Sequence, residues 1–319
     1  MRGPIALLCS LLLTPSLAWA YGEATDDSPN HRERLLHVLT NQVRQAPHDW
    51  PGWDTSLATA EARDPLALEP GLLAAARFHA TDMATNGCFS HESCDGTATF
   101  ARIGRYFQGP AGENIYLGSS AAAAAITGWM TSAGHRRNML DHDWTWLGTG
   151  FAAGGRGGYY VQNFGRGGLD RMPSIPGGAH EMNGAQMRVV ANFFDPGGRG
   201  PDSFIAMVDG AEVTLTQIAG RPANSTWEAT VEAPTACVGL TFEAAIGNET
   251  ATFPSSGELL VGASCTETFR EDKTAPKTDD NIYIDANDPD GGCRCTTARP
   301  SWGAVVLAVV GLSLCRRRR

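Results

Sequence analysis

Positive charge is scarce in this chain. Lysine and arginine number 25 against 34 aspartates and glutamates, a formal charge of −9. Six of the positive residues, Arg2, Arg299 and Arg316 to Arg319, lie in the terminal stretches 1–20 and 296–319, which read as removable and hold no acidic residue. The processed chain is therefore six units more negative still, which excludes nucleic acid as a partner, since neutralising phosphates needs a basic face. Long apolar runs are also wanting. The stretch Trp302 to Cys315 has 14 residues, short of the roughly 20 that a permanent helical span of a bilayer needs. A nucleophile with a recognisable base is missing too: Ser90 and Ser132 adjoin histidines, but adjacency in sequence does not make a nucleophile–base pair, which is a spatial arrangement.

What the termini do contain is informative. Met1 to Ala20 has Arg2 near its start, an apolar run through Ile5, Leu7, Leu8, Leu11, Leu12 and Leu13, and a small-residue end at Ala18-Trp19-Ala20. That layout is expected of a cleaved secretory signal over residues 1–20. At the far end, Gly292-Cys293-Arg294-Cys295 is followed by the apolar stretch and then by four arginines. Glycine, cysteine, short apolar helix and arginine cluster in this order resemble the MYXO-CTERM sorting tail of myxobacterial surface proteins. The resemblance implies a tail, residues 293–319, that a membrane protease recognises and removes, with Cys293 or Cys295 at the processing point and only transient anchoring through the short transmembrane helix. A plain tail anchor is the alternative.

Cysteine fits export. Of eight, Cys9 and Cys315 lie in the terminal apolar segments and Cys293 and Cys295 in the sorting motif, leaving Cys88, Cys94, Cys237 and Cys265. Two local disulfides, Cys88 with Cys94 and Cys237 with Cys265, are the simplest pairing, and sequence alone does not exclude other connectivities. The first would clamp the loop that carries His91.

Two ordered blocks lie between the ends. In the first, Leu35, Leu36, Leu39 and Val43 recur at helical spacing, as do Leu72, Leu73, Ala76, Ala80 and Met83 after Pro70. Residues 47–65 read as a long loop holding Trp50 and Trp53. Ser119 and Ser120 are placed to cap a third helix running to Met130, with Ile126, Trp129 and Met130 facing inward. Residues 147–152 and 159–164 read as strands of a hairpin turned by the glycines of 154–158. Helices followed by a hairpin predict a mixed, layered α+β arrangement.

Three short polar signatures interrupt this block: Phe89-Ser90-His91, Gly112-Glu113-Asn114 and Gly134-His135-Arg136-Arg137-Asn138. Two imidazoles and a carboxylate suit either a divalent cation or acid–base work. Structural roles compete with that reading. Glu113 could brace a turn, His135 could orient a loop, and His79, beside Phe78, reads as packing. Trp129, Trp144 and Trp146 read as core, and Asn114 and Asn138 as loop-fixing amides.

These signatures, taken with His79-Ala80-Thr81-Asp82-Met83-Ala84, Asp95-Gly96, Gly128-Trp129-Met130-Thr131-Ser132, Gly148-Thr149-Gly150 and Tyr160-Val161-Gln162-Asn163-Phe164-Gly165, occur in the order seen in bacterial CAP (SCP) domains, the cysteine-rich secretory and pathogenesis-related superfamily. The likeness covers residues 31–166. It implies an α-β-α sandwich with a cleft of two histidines and two acidic residues that binds a divalent cation, such as zinc, in some members. Carried over, His91 and His135 take the histidine positions and Glu113 the first acidic one. The second acidic position falls at Ser132, so a cation here would be weakly held through His91, His135 and Glu113, with Glu92 and Asp95 near enough in sequence to compensate.

The second block changes period. Val213 and Leu215, then Trp227, Ala229 and Val231, then Val238, Leu240, Phe242 and Ala244 alternate with other residues, opened by Val189, Val190, Phe193 and Phe194 and closed by Leu259, Leu260 and Val261. This predicts an immunoglobulin-like β-sandwich over residues 185–268, a Gly- and Pro-rich linker at 167–184, and an acidic disordered stalk at 269–292. Asp285, Asn287, Asp288 and Asp290 lack the spacing of a calcium loop. The expected protein is exported and sorted to the cell surface or outer envelope, its cleft of His91, Glu113, His135 and Ser132 binding a lipid, glycan, peptide or protein ligand, or a weakly held cation. Binding is preferred over catalysis, and no catalytic residue is assigned. A metal-dependent hydrolase of proteins or envelope polymers and a structural protein with a vestigial cleft are the competing readings.

Overall fold

Asn30 accepts the N–H groups of Arg32 and Glu33 on its side chain, and Glu33 accepts the Asn30 N–H at 2.8 Å, a reciprocal cap that starts helix α1 (His31–Gln45). Pro70 occupies the first turn of α2 (Pro70–Asn86), which Gly87 ends with φ 71°. The computed structural model describes residues 28–50, 60–169 and 172–271. The expected signal segment, Trp53, nearly all of the stalk, and the sorting tail with Cys293 and Cys295 lie outside the described residues. Among those described, no helix is long and apolar enough to cross a membrane.

Strands β1 (Ala67–Leu68), β2 (Ala111–Gly118), β3 (Trp146–Gly154) and β4 (Gly157–Gly165) form a sheet in the order β1-β3-β4-β2, with β1 parallel to β3 and the other pairs antiparallel. Helix α2 crosses one face so closely that a Cβ at Gly148 would lie 2.0 Å from the Leu72 carbonyl carbon, and one at Gly150 2.3 Å from that of Ala76. Helices α1, α4 (Ala122–Thr131) and α5 (Ala133–Leu140) cover the other face, where Leu36, Val38, Leu39, Ile126, Trp129, Leu147, Tyr160 and Phe164 share one core. Burying each large apolar side chain there contributes about 1.5–3 kcal/mol. The Ser119 and Ser120 cap does not form. Helix α4 starts at Ala122 with no side-chain cap, and the Ser119 hydroxyl instead accepts the Ala121 N–H at 3.2 Å.

The second block is two antiparallel sheets. Strands β5 (Ser174–Asn183), β6 (Gln186–Phe194), β9 (Thr216–Arg221) and β10 (Asn224–Glu232) pair in the order β5-β6-β10-β9. Opposite lie β7 (Ser203–Val208), β8 (Ala211–Thr214), β11 (Val238–Ile246), β13 (Glu258–Val261) and β14 (Phe269–Arg270), ordered β14-β13-β11-β7-β8, with β12 (Glu249–Phe253) also on β11. Met187, Val189, Ala191 and Phe193 pack between the sheets against Phe204, Ala206, Leu240 and Phe242. Cys88 is bonded to Cys94, and Cys237 to Cys265.

Two expected boundaries move. Residues 174–183, expected within a linker, are strand β5, because its glycines serve close approach rather than looseness. A Cβ at Gly177 would lie 2.7 Å from His37 Nδ1 on one face, and one at Gly178 2.5 Å from the Phe242 ring on the other. The expected stalk likewise begins with β14, paired to β13.

The described residues fall in one compact unit. At its centre is α1, buried on nearly every side because the sheet of β5, β6, β10 and β9 lies against the helix face turned away from the first sheet. The contact is polar as well as apolar. Asn192 donates to Val38 O at 3.2 Å, and Gln45 donates to Phe193 O at 3.2 Å. Near the start of α1, buried Arg34 donates to Pro29 O and to Thr268 Oγ1, both at 2.6 Å.

Candidate functional site

Strand β2 carries Glu113 at the register point opposite Asn163 of β4, so its carboxylate rises from the sheet beneath α2. The side chain is 2% exposed. Buried charge must be matched by donors, and four groups converge on it. His91, in the Cys88–Cys94 loop, meets Oε1 through Nδ1 at 2.9 Å. Fully buried Arg102, from helix α3 (Thr99–Ile103), donates to Oε2. Asn163, in the amide orientation that satisfies both its ends, donates to Oε2 at 3.1 Å and accepts the Ala76 N–H at 3.1 Å. His79 Nε2 stands 3.9 Å from Oε1.

Because a carboxylate oxygen accepts, His91 Nδ1 is the protonated nitrogen. The lone pair of the ring is then on Nε2, on a side chain 51% exposed. The loop beneath is tied from several sides: His79 Nε2 bonds Ser90 O at 2.9 Å, and His91 O accepts from Thr99 Oγ1 at 2.8 Å and Arg102 Nη1 at 2.9 Å.

His135 sits early in α5, with Nδ1 2.9 Å from Ser132 Oγ. The Ser132 hydroxyl thus orients this imidazole. Burial first, and the charge of His91 second, push the His135 pKa down; the two rings therefore feel each other electrostatically. Asn114 Nδ2 donates to His135 O at 3.2 Å and to Gln162 Oε1 at 3.0 Å, while Asn138 Nδ2 reaches Glu113 O at 3.2 Å and Asn114 Oδ1 at 3.0 Å. These amides lock β2 to α5.

The sequence-derived set is thus distributed as two oriented imidazoles. His91 and Glu113 are in contact; His135 pairs with Ser132. Among the described residues, the trios of potential ligand atoms within 4.8 Å are Asp82, Cys88 and Cys94, two of them in a disulfide, and Asp141, His142 and Asp143. His91, Glu113 and His135 do not form such a trio. Asp95 does not turn to the cleft, its carboxylate accepting the Thr97 N–H at 2.8 Å. Trp129 is core, donating to Ile115 O at 2.8 Å. His79 is buried, as packing predicts, but also flanks Glu113. Arg102 and Asn163 went unsingled in the sequence as site residues. The pairing of a buried carboxylate with a signature that supplies no cation was the signal for the first.

The donor set suits a borderline divalent metal such as zinc, since His91 Nε2 and His135 Nε2 have no hydrogen-bond partner among the described residues and each ring is oriented through its other nitrogen. Glu113 fits less well as a ligand, because both its oxygens are already engaged.

Residues 38–164 match the model of the CAP family, the cysteine-rich secretory protein family. This stretch is a CAP domain. Its relatives include the membrane protein YlbC of Bacillus subtilis (strain 168), 39% identical over 88 residues, which are 27% of this chain and 24% of YlbC. YkwD of the same organism is 29% identical over 141 residues, 41% of this chain and 55% of YkwD. This chain therefore spans less than two thirds of either relative. An extracellular SCP-domain protein of Bacillus anthracis str. Ames, solved as a crystal structure, is 33% identical, with a TM-score of 0.34, covering 42% of this chain and 40% of that one. Beyond the CAP domain, residues 172–271 add the two further sheets.

Proposed function

We propose that this is an exported CAP-domain protein whose cleft binds a ligand through the outward nitrogens of His91 and His135, a divalent cation being the ligand best suited to them. The observation that carries the reading is the parallel tethering of the two rings: each Nδ1 is held by a partner from its own chain, Glu113 or Ser132, at 2.9 Å, leaving each Nε2 without a hydrogen-bond partner among the described residues. Glu113 then acts as the group that orients and polarises His91 rather than as a ligand. Two imidazoles without a third protein ligand make for weak binding, with water completing the coordination. A bound cation would supply a Lewis-acidic centre to which a carboxylate, phosphate or glycan oxygen of a larger ligand attaches.

Binding is favoured over hydrolysis because the carboxylate a hydrolase would use as general base is committed to His91, Arg102 and Asn163. Export rests on the secretory layout of residues 1–20 and on two disulfides in the folded body. Sorting to the surface rests on the tail motif, and mass spectrometry of the mature C-terminus tests it: an end at Cys293 or Cys295 supports processing, and an intact Arg319 refutes it. For the added sheets, the order β5-β6-β10-β9 facing β8-β7-β11-β13 supports an immunoglobulin-like module, since it corresponds to strands A-B-E-D facing C′-C-F-G.

Calorimetric titration of the purified protein with zinc tests the cleft. Binding in the micromolar range that is lost in both His91→Ala and His135→Ala, without turnover of peptide or peptidoglycan, is the expected result. Unchanged binding in either variant, or metal-dependent turnover, overturns it.

A further inference from the structure

Arg102 is wholly buried on a one-turn helix, a costly place for a guanidinium, and its Nε has no hydrogen-bond partner. Its two outer nitrogens are both used. Nη1 donates to His91 O at 2.9 Å and to Ser93 Oγ at 3.3 Å; Nη2 donates to Glu113 Oε2. One rigid, planar group thus touches the loop that carries the exposed imidazole and the strand residue that orients that imidazole. We infer that Arg102 is the positioning residue of the cleft, fixing the His91 loop and the Glu113 carboxylate in one register so that the His91 Nδ1–H meets Oε1.

The alternatives for this task fall short. His91 is half exposed, so packing does not hold its ring. The Cys88–Cys94 bond fastens the ends of the loop but not its centre. Thr99 reaches His91 O but not Glu113. His79 supports Ser90 O but stands 3.9 Å from Glu113. Lysine could not replace Arg102, because a single ammonium on a flexible stem does not offer two donors in a fixed fork.

This inference rests on the proposed binding role of His91, and the test separates the two. In the unaltered protein, hindered rotation should give the Arg102 guanidinium resolved Nη resonances, and His91 should be held as the Nδ1–H tautomer, both read by nitrogen NMR. An averaged guanidinium or a mixed tautomer overturns the proposal with no variant needed. In Arg102→Gln and Arg102→Lys, with folding checked by circular dichroism, the His91 tautomer should become mixed while that of His135 stays unchanged. Zinc affinity should fall by about 10-fold or more, the usual effect of removing an outer-shell partner. In a Glu113→Gln background the same change at Arg102 should cost little further affinity. A folded Arg102→Gln protein with a single His91 tautomer refutes the positioning role. Absence of zinc binding in the unaltered protein would instead refute the binding role, leaving the tautomer to decide on Arg102.

Discussion

Gln45 accepts the Thr226 hydroxyl at 2.7 Å, joining the last turn of α1 to strand β10 across 181 positions of sequence. The same side chain donates to Phe193 O at 3.2 Å, and Asn192 donates to Thr226 Oγ1 at 2.9 Å, so the junction is a connected polar network within a buried interface. Thr226→Val should therefore cost about 1–3 kcal/mol, the penalty for taking one hydrogen bond each from buried Gln45 and Asn192, measured by urea unfolding. A fragment ending at residue 169 exposes the buried outer face of α1 and should show no cooperative thermal transition. A sharp transition in that fragment would mean that the CAP domain folds by itself.

Two glycines from the signature motifs should behave oppositely. Gly148→Ala drives a Cβ into the α2 backbone, 2.0 Å from the Leu72 carbonyl carbon, and should abolish soluble expression or lower the melting temperature severely. Nothing lies within 4 Å of a Cβ at Gly134, in the first turn of α5, so Gly134→Ala should be neutral or stabilising by up to about 1 kcal/mol. Equal losses in the two would contradict the packing described.

Acid should weaken the body. Burial lowers the pKa of His37 to about 4, and burial, then the charge of Arg34, lowers that of His180 to about 3. Both rings are neutral when folded and ordinary when unfolded, so the unfolded chain binds more protons between those values and about 6.5. Their stabilising contribution is complete above about pH 6.5 and is lost as pH falls towards the folded values, about 2 kcal/mol for each ring between pH 7 and pH 5. Urea midpoints at the two pH values check this; His180→Phe should reduce the difference.

The proximity of the two cleft imidazoles is checkable without metal. His135 titrates low through burial and through the charge of His91. His91→Ala removes only the second cause, so the His135 pKa should rise part of the way towards 6.5, followed by proton NMR. No change would place the rings too far apart to share a ligand.

Much of the CAP layering was legible in the sequence. The apolar spacing of Leu35, Leu36, Leu39 and Val43 marks the face of α1 towards the first core, and the ordered motifs mark the cleft residues. The outer face of α1 was not legible. His37, Asn41 and Gln45 have the polarity of a solvated face, yet they are buried: the sheet that covers them comes from residues beyond 170, where Phe193 O and Thr226 satisfy Gln45, while the Leu66 backbone satisfies His37 and Asn41. The glycines of 177 and 178 looked like a linker for the same reason: their partners, His37 and the Phe242 ring, lie far away in the chain. Within the site, composition could propose that His91 and Glu113 meet. It could not reveal that Arg102, three residues from the exposed Arg105, is the one turned inward.

Pro29 and Thr268 are both gripped by the one Arg34 side chain, so the two ends of the described body meet at a common pole. A force that separates those two ends would fall first on the hydrogen bonds of that single guanidinium.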